Sequence, residues 1–223
     1  MPSATKLTPD PRYYNGDEAT ARSLVASLYD LGPIDTKGGM VPYTAVTDIY
    51  SQFEMQGFDR FASSSVHIDY PVSKPIVLSG IKQFTDAVAR QDGKFQPSML
   101  MLDIRDYRKV ASVPRDATIY SHRYNAALFM TDFRWDDPGL DGVARREAKT
   151  ITTSIKEMMK EEGKAGKVKV NGGRDVEAVY PNIGGKDEKL ESVYGANLAR
   201  ARELKRKVDP GLLFDKWYPI TPA

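Results

Sequence analysis

Residues 126–158 constrain the fold most tightly. A largely apolar segment, Ala126 to Trp135, with Thr131, Asp132 and Arg134 in its second half, gives way at Asp137-Pro138 to a stripe of Ala144, Ala148, Ile151, Ile155 and Met158. The segment has the length and character of a buried strand. The stripe, spaced alternately by four and three, is that of an amphipathic helix. Pro138 suits a first helical position, where its missing N–H would be unpaired anyway. A strand that leads straight into such a helix gives the stripe a surface to cover, so the chain is expected to fold in layers.

The rest of the chain alternates in the same way. Asp17 caps a helix with Ala21, Leu24, Val25, Leu28 and Leu31 on its apolar face, stopped at Gly32-Pro33. A second helix carries Val46, Ile49, Tyr50 and Phe53 and ends at Gly57. Residues 59–69 alternate as a strand, with Phe61, Ser63, Ser65 and His67 on one side. Ser79 is predicted to cap a helix bearing Ile81, Phe84 and Val88, closed by Gly93. Met99–Ile104, Ala117–Arg123 and Val176–Tyr180 read as further strands, the second joined to Ala126–Trp135 near Tyr124-Asn125. Leu190–Lys207 reads as a last helix ended by Asp209-Pro210-Gly211. Short connections favour antiparallel pairing. The expected class is α+β: an antiparallel sheet with helices packed on one face. Residues 1–14 read as a flexible, Pro-rich tail and residues 15–223 as a single domain.

Composition removes several chemistries. No cysteine is present, which excludes disulfides, thiolate nucleophiles and thiolate-bound metals. With only His67 and His122, a histidine-rich metal site is not expected. A net charge of +2 gives no concentrated basic field for nucleic acid or an anionic membrane. The opening segment has no apolar core of a signal peptide and no stretch is long enough to span a bilayer. A cytoplasmic location is the default expectation.

The closing segment carries the most specific motifs. It contains Val179-Tyr-Pro-Asn-Ile183, Tyr194-Gly-Ala-Asn197, Leu204-Lys205, Asp209-Pro210 and Phe214. Upstream stand Asn15-Gly-Asp-Glu18, Leu31-Gly-Pro33, Met40-Val-Pro-Tyr43, the stretch from Gly57 to Ser65, and Ala117-Thr-Ile-Tyr-Ser-His-Arg123 followed by Trp135-Asp-Asp-Pro138. Together these resemble, in order, the substrate-binding portion and C-terminal segment of the berberine-bridge-enzyme-like FAD-linked oxidases. The resemblance covers about Asn15 to Pro219 and implies a fold like the substrate domain of those oxidases. The family's flavin-binding domain precedes this region, and nothing upstream of Asn15 matches it. No glycine-rich phosphate loop or flavin-attachment histidine is recognisable. From this departure no cofactor is expected, and from the histidine and cysteine counts no metal.

In that family a carboxylate often sits on the strand after the His-Arg pair. Here Leu128 or Phe129 falls near that place, and Ile183 follows Asn182 where a tyrosine is common. Both usual proton acceptors of the oxidase chemistry are replaced.

Alternate residues of the central strands face the ligand in the family's architecture. Leu128, Met130 and Asp132 share one face through the two-residue period of a strand. Asp132 is then a candidate acid or base, or else simply pairs with Arg134 or Arg123. His122 is a candidate catalytic group or a histidine bonded to backbone. Tyr120 and Tyr180 can donate to a ligand carbonyl or serve as core tyrosines. His67, beside Asp69, either contacts ligand or lies at the surface. Met99, Met101, Leu128 and Met130 either line an adaptable apolar pocket or fill core.

Two functions are compatible with these residues. The first is a cofactor-independent enzyme of specialised-metabolite biosynthesis. It would bind a polyketide- or terpenoid-like substrate and catalyse a non-redox isomerisation or cyclisation, such as a pericyclic [4+2] reaction. Asp132, His122 and Tyr120 would carry the chemistry. The second is a non-catalytic or accessory half of a split FAD-linked oxidase. In either case the partner is a hydrophobic small molecule, with no nucleic acid and no membrane. A homodimer through the sheet face is expected, because the family's flavin domain covers that face.

Overall fold

The computed structural model describes residues 14–32, 38–46, 48, 60–95, 97–165, 179–185 and 187–222. They fall into two units, Met1–Gly57 and Phe58–Ala223, where the sequence predicts one domain from residue 15.

In the first unit, α1 (Glu18–Leu24) starts as expected: Asp17 accepts a hydrogen bond from the Thr20 N–H at 2.8 Å. The predicted single helix is broken at Val25, after which α2 (Ala26–Tyr29) adds one turn. Neither helix buries a residue. Tyr43–Ala45 is a 3-10 turn, and the rest of the predicted second helix lies largely outside the described residues.

The second unit is built on β1 (Arg60–Asp69), α3 (Lys74–Ala89), β2 (Met99–Asp103), α4 (Arg108–Ala111), β3 (Ala126–Trp135), α5 (Asp141–Lys164), α6 (Leu190–Tyr194) and α7 (Leu198–Val208). Its described strands form one antiparallel sheet in the order β1-β3-β2. β3 is the central strand, paired along both edges, and nearly all of it is buried.

One face of the sheet is the core. Val66 and Ile68 of β1 join Phe129, Phe133 and Trp135 of β3, and α3 and α5 supply Ile76, Ala87, Ala144, Ala148, Ile151, Ile155 and Met159. The α5 stripe drifts from the predicted one, with Met159 rather than Met158 fully buried and Thr152 added. A straight helix turns 3.6 residues, so a seven-residue stripe slips around the axis with length. Thr152 is accommodated because its hydroxyl meets Ser64 Oγ at 2.7 Å.

α3 lies close against the sheet. A Cβ at Gly80 would stand 2.5 Å from Phe129 Cζ and 3.0 Å from Ile155 Cδ1, so only glycine fits there without displacement. The helix starts at Lys74, not after Ser79 as predicted, with Pro75 in its first turn. Burial of Ile76 against the core extends it upstream, and Ser79 sits mid-helix accepting a bond from Gln83.

One predicted strand, Ala117–Arg123, is not a strand, and another lies largely outside the described residues. Residues 117–125 form no ladder, because β3 is already paired along both edges. Their anchors are side chains instead. Of Val176–Tyr180, only Val179 and Tyr180 are described, and neither is extended into a sheet. The predicted helix 190–207 is interrupted at Gly195, whose φ of 55° belongs to the left-handed region.

Candidate functional site

The face of the sheet turned away from α3 and α5 is laid out in rows by strand register. Asp132 stands between Ser63 and Met99, Met130 between Ser65 and Met101, and Leu128 between His67 and Asp103. Neighbours across a row are about 5 Å apart and rows are about 7 Å apart. The predicted lining residues Met99, Met101, Leu128, Met130 and His67 therefore share one surface. Phe129, the other position considered for a proton acceptor, points into the core, while Leu128 faces the rows. Among the described residues, the 3-10 turn Pro181–Ile183 approaches this surface at β1.

One end of this floor is ionic. Arg134 Nη2 and Nε both donate to Asp132 Oδ2, at 2.8 and 3.1 Å, and Ser63 Oγ donates to Oδ1 at 3.4 Å. Asp132 thus pairs with Arg134, its neighbour on the same face two residues on. It is 7% exposed, so the pair is largely shielded from water.

The other end is aromatic. His122 Nε2 lies 2.7 Å from the Val193 carbonyl. A carbonyl only accepts, so Nε2 carries the proton and Nδ1 is the acceptor. That Val193 carbonyl is available because Gly195 ends α6 within its last turn, where helical carbonyls have no intrahelical partner. Ser121 Oγ donates to the same oxygen at 3.3 Å. Burial holds the His122 pKa below the usual imidazole value, partly offset by the Val193 bond.

The His67 ring is nearly parallel to that of His122, at 6.1 Å and 6°. Tyr120 meets His122 edge-on at 5.7 Å and Tyr180 at 6.0 Å. Burial, then the neighbouring Tyr180, raises the Tyr120 hydroxyl above its ordinary range. His67, His122, Tyr120 and Tyr180 are therefore one cluster, and Asp132 lies at the opposite end of the floor.

Among the described residues, Ser65 Oγ and His122 Nδ1 beside this surface are buried and have no hydrogen-bond partner. Native proteins rarely leave such groups unsatisfied, and a site for a ligand is one reason that they do.

Sequence reasoning passed over Asp103, Tyr107 and Tyr124. Tyr107 donates to Asp103 Oδ2 at 3.1 Å, and Arg105 donates to Oδ1 at 2.7 Å. Burial, followed by the Asp103 charge and hydrogen bond, pushes the Tyr107 hydroxyl up to about 12. The two-residue period that placed Met99 and Met101 also places Asp103 on their face, so that signal was present. Tyr124 packs against both imidazoles, at 6.0 and 6.4 Å, and nothing in its local sequence marks it.

No family model matches the chain. The FAD-linked oxidoreductase pgmH of Aspergillus terreus is 45% identical over 213 residues, which are 95% of this chain and 43% of that protein. The chain thus spans under half the length of this curated relative. Physcomitrella patens BBE-like 1 superposes with a TM-score of 0.66 at 13% identity, over 93% of this chain and 44% of that one. A chitooligosaccharide oxidase does so with a TM-score of 0.60 at 20% identity, over 94% and 45%. At such identities these two similarities concern the fold. Over the region that it shares with them, the chain is similar in sequence to part of a FAD-linked oxidoreductase and has the fold of the corresponding part of a berberine-bridge-enzyme-like protein.

Proposed function

We propose that the sheet face opposite α3 and α5 is the substrate wall of a specialised-metabolite enzyme, and that its own residues support a non-redox isomerisation or cyclisation of a polyketide- or terpenoid-like substrate. One observation carries this reading. An apolar floor of Leu128, Met130, Met99 and Met101 has a buried orphan hydroxyl, Ser65, within it and a histidine–tyrosine cluster at one end.

Flexible methionines suit a polycyclic body of irregular outline. Holding that body in one reactive shape removes entropy from the barrier. The Tyr120 hydroxyl, kept protonated by its raised pKa, can donate to a carbonyl whose charge grows in the transition state. His122, neutral and with Nδ1 as acceptor, can take a hydrogen bond from an enol or hydroxyl. Asp132 is engaged by Arg134, so it orients substrate polar groups through that pair. A cyclisation of the [4+2] kind exchanges two π bonds for two σ bonds and releases nothing, so shape and hydrogen bonding suffice.

A bound flavin supplies hydride acceptance to this family. The floor suits one face of a flat ring. The cofactor's pyrophosphate also needs a cradle of backbone N–H groups, and these 223 residues carry no G-x-G-x-x-G loop. The shared region by itself does not fit the whole cofactor.

A second reading is favoured by the 45% identity to a FAD-linked oxidoreductase: the same wall serves redox chemistry together with a flavin-binding region. One preparation separates the two. Flavin-free protein is incubated with a polycyclic dienone, and the rate and stereochemistry of its rearrangement are followed. The first reading predicts acceleration that falls about 10- to 100-fold in Tyr120→Phe. Product formed at the uncatalysed rate and stereochemical ratio would contradict it, and a preparation that absorbs in the flavin bands would favour the second.

A further inference from the structure

Beside the aromatic end of the floor lies an open groove of about 490 Å3, formed by residues 111–115 and 123–125. Two guanidinium groups frame it. Arg115 Cζ lies 5.1 Å from the centre of the Tyr124 ring, and Arg123 Cζ lies 5.5 Å from that of Tyr120. Arg123 Nη2 donates to Thr118 Oγ1 at 2.8 Å, while its buried Nε has no hydrogen-bond partner among the described residues. None of the lining residues is acidic. Asn125 uses Oδ1 to accept from the Tyr107 N–H at 3.1 Å, which leaves its amide hydrogens as the remaining polar capacity.

We propose that this groove binds a carboxylate or phosphate carried by a small molecule, with Arg115, Arg123 and the Asn125 amide as donors. The planar guanidinium fork matches an oxyanion in shape as well as charge. Seating each fork against an aromatic ring fixes its orientation before the anion arrives. The volume is that of an ordinary small-molecule site. Tyr124 lines the groove and also touches the His67 and His122 rings, so a ligand held there abuts the histidine end of the floor. The anion site stands even if the floor proves inert, because its donors lie outside the floor.

Calorimetric titration of the full chain at low salt with 2-naphthoate, 2-naphthamide and inorganic phosphate tests this. Naphthoate is expected to bind at least about tenfold more tightly than the neutral amide, with a loss of about tenfold or more in Arg115→Gln and in Arg123→Gln. Lys109→Gln removes the same charge from adjacent α4 without lining the groove, and its affinity is expected to match wild type. Phosphate binding that is lost in the same two variants would support the site and identify a free oxyanion as sufficient. Equal affinity for naphthoate and naphthamide, or naphthoate binding unchanged in Arg115→Gln, would overturn the proposal. If Arg123→Gln does not fold, the Arg115→Gln arm and the naphthoate-to-naphthamide ratio decide it.

Discussion

His122 links fold and site in a single side chain. Its Nε2–H closes the end of α6 and its Nδ1 faces the cluster. His122→Ala would leave the Val193 carbonyl to Ser121 alone, and a cost of about 1–3 kcal/mol is expected in urea unfolding. The pH dependence has a definite sign. The folded pKa lies below the unfolded value of about 6.5, so the folded state prefers neutral imidazole. Stability from this group is complete above about pH 6.5 and is lost as pH falls toward the folded pKa. NMR titration should find His122 below the usual imidazole range. Tyr107 behaves in the opposite direction. With its hydroxyl raised to about 12, its contribution is present below about pH 10 and is lost as pH rises through the folded value. Ultraviolet titration should show late-ionising tyrosine, and Asp103→Asn should lower the Tyr107 part of it.

Packing between α3 and the sheet is the element-scale feature that fixes the floor, because it sets where β3 lies. Gly80→Val would drive side-chain atoms into Phe129 and Ile155, at an expected cost of about 1–3 kcal/mol. Ile155→Ala, which empties a fully buried site, should cost about 2–5 kcal/mol. Both are read by chemical denaturation. These elements were legible in sequence because their signal is periodic. The two-residue period placed Leu128, Met130 and Asp132 on one face, and the α5 stripe placed the core opposite. The aromatic end was legible only as separate residues. Tyr120 and His122 were assigned to a strand, yet β3 has no free edge to receive one, and the segment is held by bonds to the end of α6 instead. That arrangement depends on the break at Gly195 and on contacts some 70 residues apart, which local pattern does not encode. The start of α3 was misplaced for a related reason: the burial of Ile76, not the nearest serine, sets where the helix begins.

At the scale of the molecule, the expected bare sheet face is largely shielded: Leu128 is 8% and Asp132 7% exposed. Exposed apolar groups cluster at the end of α7 and in the turn beyond it, where Val208, Leu213 and Phe214 are 78%, 80% and 75% exposed. Asp209 holds this turn by accepting from the N–H groups of Leu213 and Phe214 and from Lys205. An ordered apolar ridge of this kind promotes association. Light scattering is expected to show concentration-dependent self-association that diminishes in the Leu213→Ser, Phe214→Ser double variant. No helix among the described residues is long and apolar enough to cross a membrane. The central claim, that the sheet face opposite α3 and α5 receives the ligand, can be read from the methionines themselves. In a methyl-labelled protein titrated with a polycyclic aromatic ketone, the resonances of Met99, Met101 and Met130 should shift together while core Met159 stays in place. Saturable binding that leaves those three unmoved would contradict the account.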